Sequence, residues 1–235
     1  MNNKIIYISV CFLLLFSSGI FISCKKTDYI KGGTISNPKV NATTYDYLAS
    51  NALAQFDTLL QLVDKAGMKD VINQQGVTFF APNDNSIYNY LNARTIAAQK
   101  VNPNAKYTLD SMFKYDIDRV KDSLKMYIVT QPLTYDKLTE KGIKYPTMLA
   151  GDTAVISFEY TYDDKQGYSP AVSSVPQLTY FTQLWKHLDD PFEAGDIPNT
   201  IGVHTLCKTS GVQTTTGLLN VLESSHTLFF YGTKK

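Results

Sequence analysis

The sequence predicts an α+β fold, with helices concentrated in the first half of the chain and strands in the second. Apolar residues recur at helical spacing between residues 56 and 129, and they alternate with polar residues at strand spacing after residue 150. The 16 tyrosines and 12 phenylalanines, with β-branched residues throughout, also favour a domain that contains a sheet.

The first predicted helix with a continuous apolar face covers residues 56–66. Its apolar residues recur at i, i+3, i+4 and i+7: Phe56, Leu59, Leu60 and Val63. Gly67 can supply the left-handed residue that ends it. A helix over residues 45–53, with Thr44 as its cap, is predicted before this one, and a further helical turn over residues 68–72 is predicted after it.

A polar cluster, Asn83-Asp84-Asn85, follows the short apolar run 77–81. The run is β-branched and aromatic, as in a strand covered on both faces, and Pro82 ends it because proline cannot donate to a sheet. Asn83 or Asp84 can then cap a following helix. A calcium loop needs about six to eight oxygen ligands, usually including a terminal glutamate, and none follows at a suitable spacing. The cluster is therefore interpreted as a helix cap.

Later elements alternate between the two patterns. An amphipathic helix is predicted over residues 115–129, and Pro132 closes it. Residues 153–160 alternate as a strand, 162–176 form a polar loop, and 178–185 fit either a strand or a helix. Closing strands are predicted over residues 202–209, 217–222 and 227–231.

The N-terminal residues predict a secreted, lipid-anchored chain. An apolar run that ends in Ser-Cys predicts a lipoprotein signal peptide over residues 1–23, with Cys24 as the acylated first residue of the mature chain. An uncleaved anchor over residues 5–22 stays open as the alternative. Residues 24–42 are predicted as a flexible tether and 43–235 as one domain. We expect the protein in the cell envelope, held at the outer membrane by its lipid, on either the periplasmic or the outer face.

Cysteine usage and charge exclude two classes of protein. Cys207 is the only cysteine after Cys24, so a disulfide framework is excluded. A formal net charge of +1 argues against a nucleic-acid partner, which would need a basic surface.

The stretch FDTLLQLVDKAGMKDVINQQGVTFFAPNDNSI, residues 56–87, resembles the opening block of the fasciclin domain family. LKMYIV (124–129), GDTAVISF (151–158) and VQTTTGLLNVLESSHTLFF (212–230) are similar to later blocks in the same order. Thr216 replaces the usual Asn before Gly217, and Ile128 stands where members often place His. The resemblance implies a fasciclin-like fold, with helices packed against a β-sandwich or wedge, and an extracellular, non-catalytic adhesion domain. Residues 160–199 are longer than a minimal domain needs and are interpreted as an insertion.

No arrangement of reactive residues predicts an enzyme, a metal site or a cofactor. His204 and Cys207 would point to opposite faces of a strand, so they cannot share a metal. Glu223 and His226 are interpreted as part of a polar turn, and Cys207 as a buried, inert thiol. The sequence contains no nucleophile elbow and no phosphate-binding glycine loop.

Aromatic residues in and around the insertion are the candidates for ligand binding. They are Tyr160, Tyr162, Tyr168, Tyr180, Phe181 and Trp185. We favour the interpretation that they fill the core beneath a long loop; alternatively, exposed rings stack on sugars or anchor a protein. Trp185, Tyr168 and Tyr162 are the candidate ligand-binding residues, and Trp185 is the first to test.

These observations predict adhesion or protein–protein interaction at the cell surface. The expected partner is a surface or matrix protein or a polysaccharide, in addition to the membrane that holds the lipid. The alternative is a glycan-binding accessory lipoprotein of an outer-membrane polysaccharide uptake system.

Overall fold

A computed structural model describes residues 38–171 and 174–233, so Cys24, the whole predicted signal peptide and residues 24–37 of the predicted tether lie outside the described residues. The described helices are α1 (Thr44–Ala49), α2 (Asp57–Lys65), α3 (Lys69–Ile72), α4 (Asp84–Gln99), α5 (Leu109–Tyr115) and α6 (Ile117–Leu124). The described strands are β1 (Val77–Ala81), β2 (Ile128–Val129), β3 (Ile143–Pro146), β4 (Thr153–Tyr160), β5 (Gln177–Leu184), β6 (Gly202–Gln213) and β7 (Gly217–Leu222).

The strands form one sheet in the order β2-β1-β7-β6-β5-β4-β3, in which only the pair β1 and β7 is parallel. The long strand β6 divides this sheet. Residues 202–206 pair with β5, whereas residues 207–213 pair with β7 across two shifts of register. The predicted α+β fold, with helices from the first half and a wedge-like sheet formed mostly by the second, is therefore confirmed.

The main core lies between the helices and the β2-β1-β7 part of the sheet. Every residue of β1 is buried, as its apolar composition predicted. The largest fully buried side chains include Phe79, Phe80, Tyr127 and Phe181. Phe181 comes from β5, and its ring centroid lies 4.8 Å from that of Phe80, so the two parts of the sheet share this core.

The second half of the predicted insertion packs with Val155 of β4 in a second, smaller core. Its buried residues are Val155, Leu184, Leu188, Ala194 and Ile197. Gly142 lets this segment approach β4, because a Cβ at that position would lie 2.6 Å from Val155 Cγ1 and 2.9 Å from the Cβ of Ala194. The segment predicted as an insertion is thus packed in part against β4.

The predicted helix over residues 115–129 is wrong at both ends. Two helices, α5 and α6, meet at Asp116, and the chain then makes a short 3-10 turn and enters β2. Ile128 pairs with Phe79 in β1. Ile128 and Val129 are both buried, so their apolar character fits a strand as well as a helix, and pairing with β1 decides between them.

Two further predictions fail for local reasons. Thr43, not Thr44, caps α1 by accepting a hydrogen bond from the N–H of Asp46, while Thr44 is buried. The predicted strand over residues 227–231 is a turn, because Phe229 and Phe230 have φ angles of +59° and +53°, which lie outside the extended region.

Residues 38–42, at the end of the predicted tether, already contact the domain. The N–H of Val40 donates to the carbonyl of Gln213 at 2.8 Å, and the N–H of Thr215 donates to that of Ala42 at 2.9 Å. Contact with the sheet therefore begins before Thr43.

Candidate functional site

The polar cluster after β1 caps two helices. Asn83 Oδ1 accepts a hydrogen bond from the N–H of Ser86 at 3.1 Å, which caps α4 as predicted. The Asp84 carboxylate accepts hydrogen bonds from the N–H groups of Thr58 and Leu59, each at 3.0 Å. It therefore caps α2, whose own N-cap residue, Phe56, makes no side-chain cap hydrogen bond. The sequence analysis missed this second role of Asp84. A phenylalanine side chain cannot accept a capping hydrogen bond, so Phe56 was the sign that the cap of α2 comes from elsewhere in the chain.

His226 belongs to the core and not to a polar surface turn. Its side chain is 6% exposed, and its Nε2 is hydrogen-bonded to the Tyr127 hydroxyl at 2.8 Å. That hydroxyl also accepts a hydrogen bond from the N–H of Phe229 at 2.7 Å. Burial lowers the pKa of His226 to about 3, so the imidazole is neutral at physiological pH. The expectation of a polar turn is corrected: the backbone turns here, but the side chain points inward.

His204 and Cys207 lie on β6 and have separate environments. His204 stacks on Tyr180 with ring centroids 4.1 Å apart, and it contacts Thr182 through Nδ1 at 2.7 Å and Glu159 through Nε2 at 3.2 Å. Burial lowers the pKa of His204 and raises that of the Cys207 thiol. Across residues 38–171 and 174–233, no group of three His, Cys, Asp or Glu side chains is placed to hold a metal ion.

The aromatic candidates of the insertion divide between the core and the surface. Phe181 is fully buried, and Trp185 is partly buried against the main core. Tyr168 is also partly buried, and its ring meets that of Tyr162 edge to face at 5.3 Å. Tyr162 and Tyr160 are exposed. The core-filling interpretation therefore holds for some of these rings and fails for others.

Trp185 and Tyr162 lie at opposite ends of the β4–β5 pair. Trp185 directly follows β5, whereas Tyr162 lies beyond Tyr160, which pairs with Gln177 at the start of β5. Trp185 follows Gln177 by eight positions along an extended strand, a distance of roughly 25 Å. The structure thus does not bring the candidate residues into one site.

Trp185 lines a pocket of about 520 Å³. The half-buried carboxylate of Asp152 lies in the same pocket, and burial raises its pKa. Asp152 accepts hydrogen bonds from Thr147 at 2.7 Å and from Gln183 at 2.6 Å. The indole N–H of Trp185 and the side-chain carbonyl of Gln183 are buried and have no hydrogen-bond partner among the described residues.

Tyr162 lines a larger cavity of about 670 Å³ at the other end of the pair, which we name the tyrosine cleft. Its described lining consists of Tyr135, Tyr160, Tyr162, Ser174, Val175, Pro176 and Gln177. The three tyrosines are 44%, 46% and 69% exposed, in that order. Gln177 Nε2 donates a hydrogen bond to the Tyr160 hydroxyl at 3.2 Å. Exposed aromatic side chains held in fixed orientations are a common feature of binding surfaces.

Tyr135 reaches the cleft from a 3-10 turn that lies before β3. Its ring packs over Gly211 of β6, where an added Cβ would lie 2.6 Å from Tyr135 Cε2. The sequence analysis missed Tyr135 because no local pattern connects it to the insertion. Gly211 lies beyond the strand predicted over residues 202–209, so the sequence pattern gave no sign of this contact.

Comparison with protein-family models matches residues 54–174 to the fasciclin domain. The chain belongs to the fasciclin domain family. The chain is also similar to a solved FAS1 domain pair from the insect cell adhesion molecule Fasciclin I, with 14% identity and a TM-score of 0.44. That alignment covers 76% of this chain and 46% of the other, so this chain spans less than half of that structure. No curated protein matches the sequence.

The family match places the tyrosine cleft within and just beyond the fasciclin domain signature. Tyr135, Tyr160 and Tyr162 lie inside the matched residues, whereas Gln177 and Trp185 follow them.

In the part of the chain that the structure describes, no helix is long and apolar enough to cross a membrane.

Proposed function

We propose that this fasciclin-domain chain is a lipid-anchored protein outside the cytoplasm that mediates adhesion or protein–protein interaction at the cell surface. Its partner is a surface or matrix component, either a protein or a polysaccharide. The observation that carries the proposal is the tyrosine cleft, where three exposed tyrosines converge on one concave surface.

The exposed tyrosine rings of the cleft contribute little to the stability of the isolated fold, and their properties are those of residues at binding surfaces. A tyrosine offers a large apolar face and a hydroxyl at low conformational cost, which is why tyrosine is enriched at binding surfaces. Tyr160 and Tyr162 leave much of that face in water, although burial would stabilise it. A partner that covers them would recover this free energy.

The sequence supports the anchor. The run from Ile5 to Ser23 followed by Cys24 provides a signal peptide and an acylation site, and the polar residues after it provide a spacer. We propose that acyl chains on Cys24 hold the protein at the outer membrane. Cells that express the wild-type chain should incorporate radiolabelled palmitate into it, and Cys24→Ala should abolish both the label and the membrane association. Equal labelling of the two proteins would contradict the anchor.

Attachment of whole cells tests the adhesive role. Cells that lack the chain would be complemented with wild type, with Tyr160→Ala/Tyr162→Ala, or with Tyr88→Ala/Tyr115→Ala, and attachment to protein-coated and polysaccharide-coated surfaces would be measured. Tyr88 and Tyr115 are matched controls because they are 67% and 71% exposed and lie on helices α4 and α5. Only the cleft variant should lose attachment. Full attachment by that variant would remove the cleft from the adhesive role.

A second candidate function is that of a glycan-binding accessory in polysaccharide uptake. The Trp185 pocket favours it, because an indole ring, the Asp152 carboxylate and Lys144 line one concavity. Trp185→Ala would then slow growth on a polysaccharide as the only carbon source while leaving growth on the free monosaccharide unchanged. Equal growth of wild type and variant on both sources would exclude this role.

A further inference from the structure

We propose that the tyrosine cleft binds a short stretch of a neutral polysaccharide chain. The inference rests on the proposed adhesive function, because it names the chemistry of the partner. The proposed partner was either a polysaccharide or a protein. The size, the charge and the hydrogen-bonding groups of the cleft favour the polysaccharide.

The size of the cleft fits a linear segment. Its volume of about 670 Å³ lies within the roughly 300–1,000 Å³ that is typical of sites for small ligands. A stable interface with a folded protein uses roughly 20–30 residues on each side, several times the described lining. A few sugar units of a chain would fill the cleft, whereas a globular partner would cover much more of the surface.

The charge of the lining favours an uncharged ligand. The described lining residues are tyrosine, serine, valine, proline and glutamine, none of which carries a charge at neutral pH. An acidic polysaccharide or a phosphorylated group would lose hydration on entering the cleft without gaining an ion pair in return. A neutral chain avoids this loss.

The polar groups of the lining match sugar hydroxyls. The phenol groups, the Ser174 hydroxyl and the Gln177 amide can each donate and accept hydrogen bonds. Sugar hydroxyls also do both, and the apolar face of a sugar ring can lie against an exposed tyrosine ring. A proline-rich peptide, the other linear ligand of aromatic grooves, has few N–H donors, so it would leave the acceptors of the cleft unused.

The rings are held before any ligand arrives. Tyr160 is fixed by its hydrogen bond from Gln177 and by an edge contact with Phe158 at 5.3 Å. Tyr162 has its edge contact with Tyr168, and Tyr135 packs over Gly211. Preorganised side chains lose little conformational freedom on binding, which favours affinity for a flexible chain.

Direct binding by the full chain in detergent micelles tests the inference. The immobilised protein would be exposed to four neutral polysaccharides (β-glucan, xylan, mannan and dextran), to polygalacturonate as an acidic one, and to a decaproline peptide. At least one neutral polysaccharide should bind, polygalacturonate and decaproline should not, and Tyr160→Ala/Tyr162→Ala should weaken binding by about tenfold or more. Tyr88→Ala/Tyr115→Ala should bind as wild type does. Fluorescence of Trp185, the only tryptophan, checks that each variant is folded.

The outcomes separate this inference from the proposed function. Binding of none of the four neutral polysaccharides, or equal binding by the cleft variant, would overturn the glycan site even if attachment of cells still depends on the cleft. If decaproline binds and none of the neutral polysaccharides does, the cleft is a peptide site, and the proposed glycan site is likewise overturned. If a neutral polysaccharide binds through the cleft but cells attach equally well without the chain, the adhesive function fails and the glycan site stands.

Discussion

The polar cluster after β1 and the tyrosine cleft are both surface features that suggest recognition, but the fold uses them in opposite ways. Asn83 and Asp84 direct their side chains to backbone N–H groups of two helices. Asn83 also donates to the Ser224 hydroxyl at 3.0 Å, which joins the cluster to the segment after β7. The cleft tyrosines instead leave much of their surface in water.

This difference distinguishes side chains that stabilise the fold from side chains that are available for binding. A polar side chain whose hydrogen bonds all end within the domain stabilises the domain, and its removal is expected to act on folding. An exposed ring adds little to folding, and its removal is expected to act on binding. Four substitutions follow from this contrast, from the largest expected effect on stability to the smallest.

Of these four substitutions, Asp84→Ala should destabilise the protein most. It leaves the first N–H groups of α2 without an acceptor, and hydrogen bonds to a charged cap of this kind contribute about 2–3 kcal/mol. Urea denaturation measures the loss. Asn85→Ala, at the exposed neighbouring position, is the control and should change the free energy of unfolding by less than about 0.5 kcal/mol. Equal losses in the two variants would contradict the capping role.

His226→Gln should flatten the dependence of stability on acid pH. The pKa of His226 is lowered to about 3 in the folded protein, whereas an unfolded histidine titrates near about 6.5. Between these values the unfolded chain binds a proton that the folded protein does not. The contribution of neutral His226 is therefore complete above about pH 6.5 and decreases as the pH falls, by up to about 1.4 kcal/mol per pH unit.

Urea denaturation at pH 7, 6 and 5 tests this pH dependence. The wild type should lose stability more steeply than the variant over this range, and the contribution of His204 cancels because both proteins retain it. Parallel curves would show that folding does not change proton binding by His226, and they would contradict the lowered pKa.

The contrast also shows how far the sequence predicts this molecule. Local patterns predicted β1 and a cap for α4 at Asn83 or Asp84, of which the structure uses Asn83. A β-branched and aromatic run, the proline that ends it and a helix cap all act within a few residues. They did not predict that Asp84 caps α2, since that contact joins residues about 25 positions apart and depends on how the helices pack. Ile128 was assigned to a helix for the same reason, because only its pairing with Phe79 shows that it belongs to a strand.

The binding surface was predicted only in part. Tyr162 was a candidate from its position in the insertion, but a sequence does not show which aromatic rings the fold will bury. Phe181 and Tyr160 occur in neighbouring strands, yet one lies in the core and the other lines the cleft. Tyr135 reaches the cleft only through tertiary contact with Gly211, so the complete set required the structure.

Gly211→Ala should have an intermediate effect on stability and a larger one on binding. Its φ of +71° makes a side chain unfavourable by about 1–2 kcal/mol, and the new methyl group would displace the Tyr135 ring. Urea denaturation and attachment of cells measure the two effects. Adding Tyr135→Ala removes the steric conflict but not the backbone strain, so the double variant should regain part of the stability and none of the attachment. Wild-type attachment by Gly211→Ala would separate Tyr135 from the site.

Tyr162→Ala should change stability least, by less than about 0.5 kcal/mol, because the side chain is mostly exposed and its ring contact with Tyr168 is its only described aromatic contact. Attachment should nevertheless fall, since a ring that is 69% exposed is available to a partner. Tyr127→Ala is the opposite case, because that tyrosine is buried and is hydrogen-bonded to His226 and Phe229, so we expect a loss of about 3–5 kcal/mol. Urea denaturation of both variants, compared with attachment of cells, measures the contrast. A large loss of stability in Tyr162→Ala would place this ring with the polar cluster, among the residues that hold the fold together.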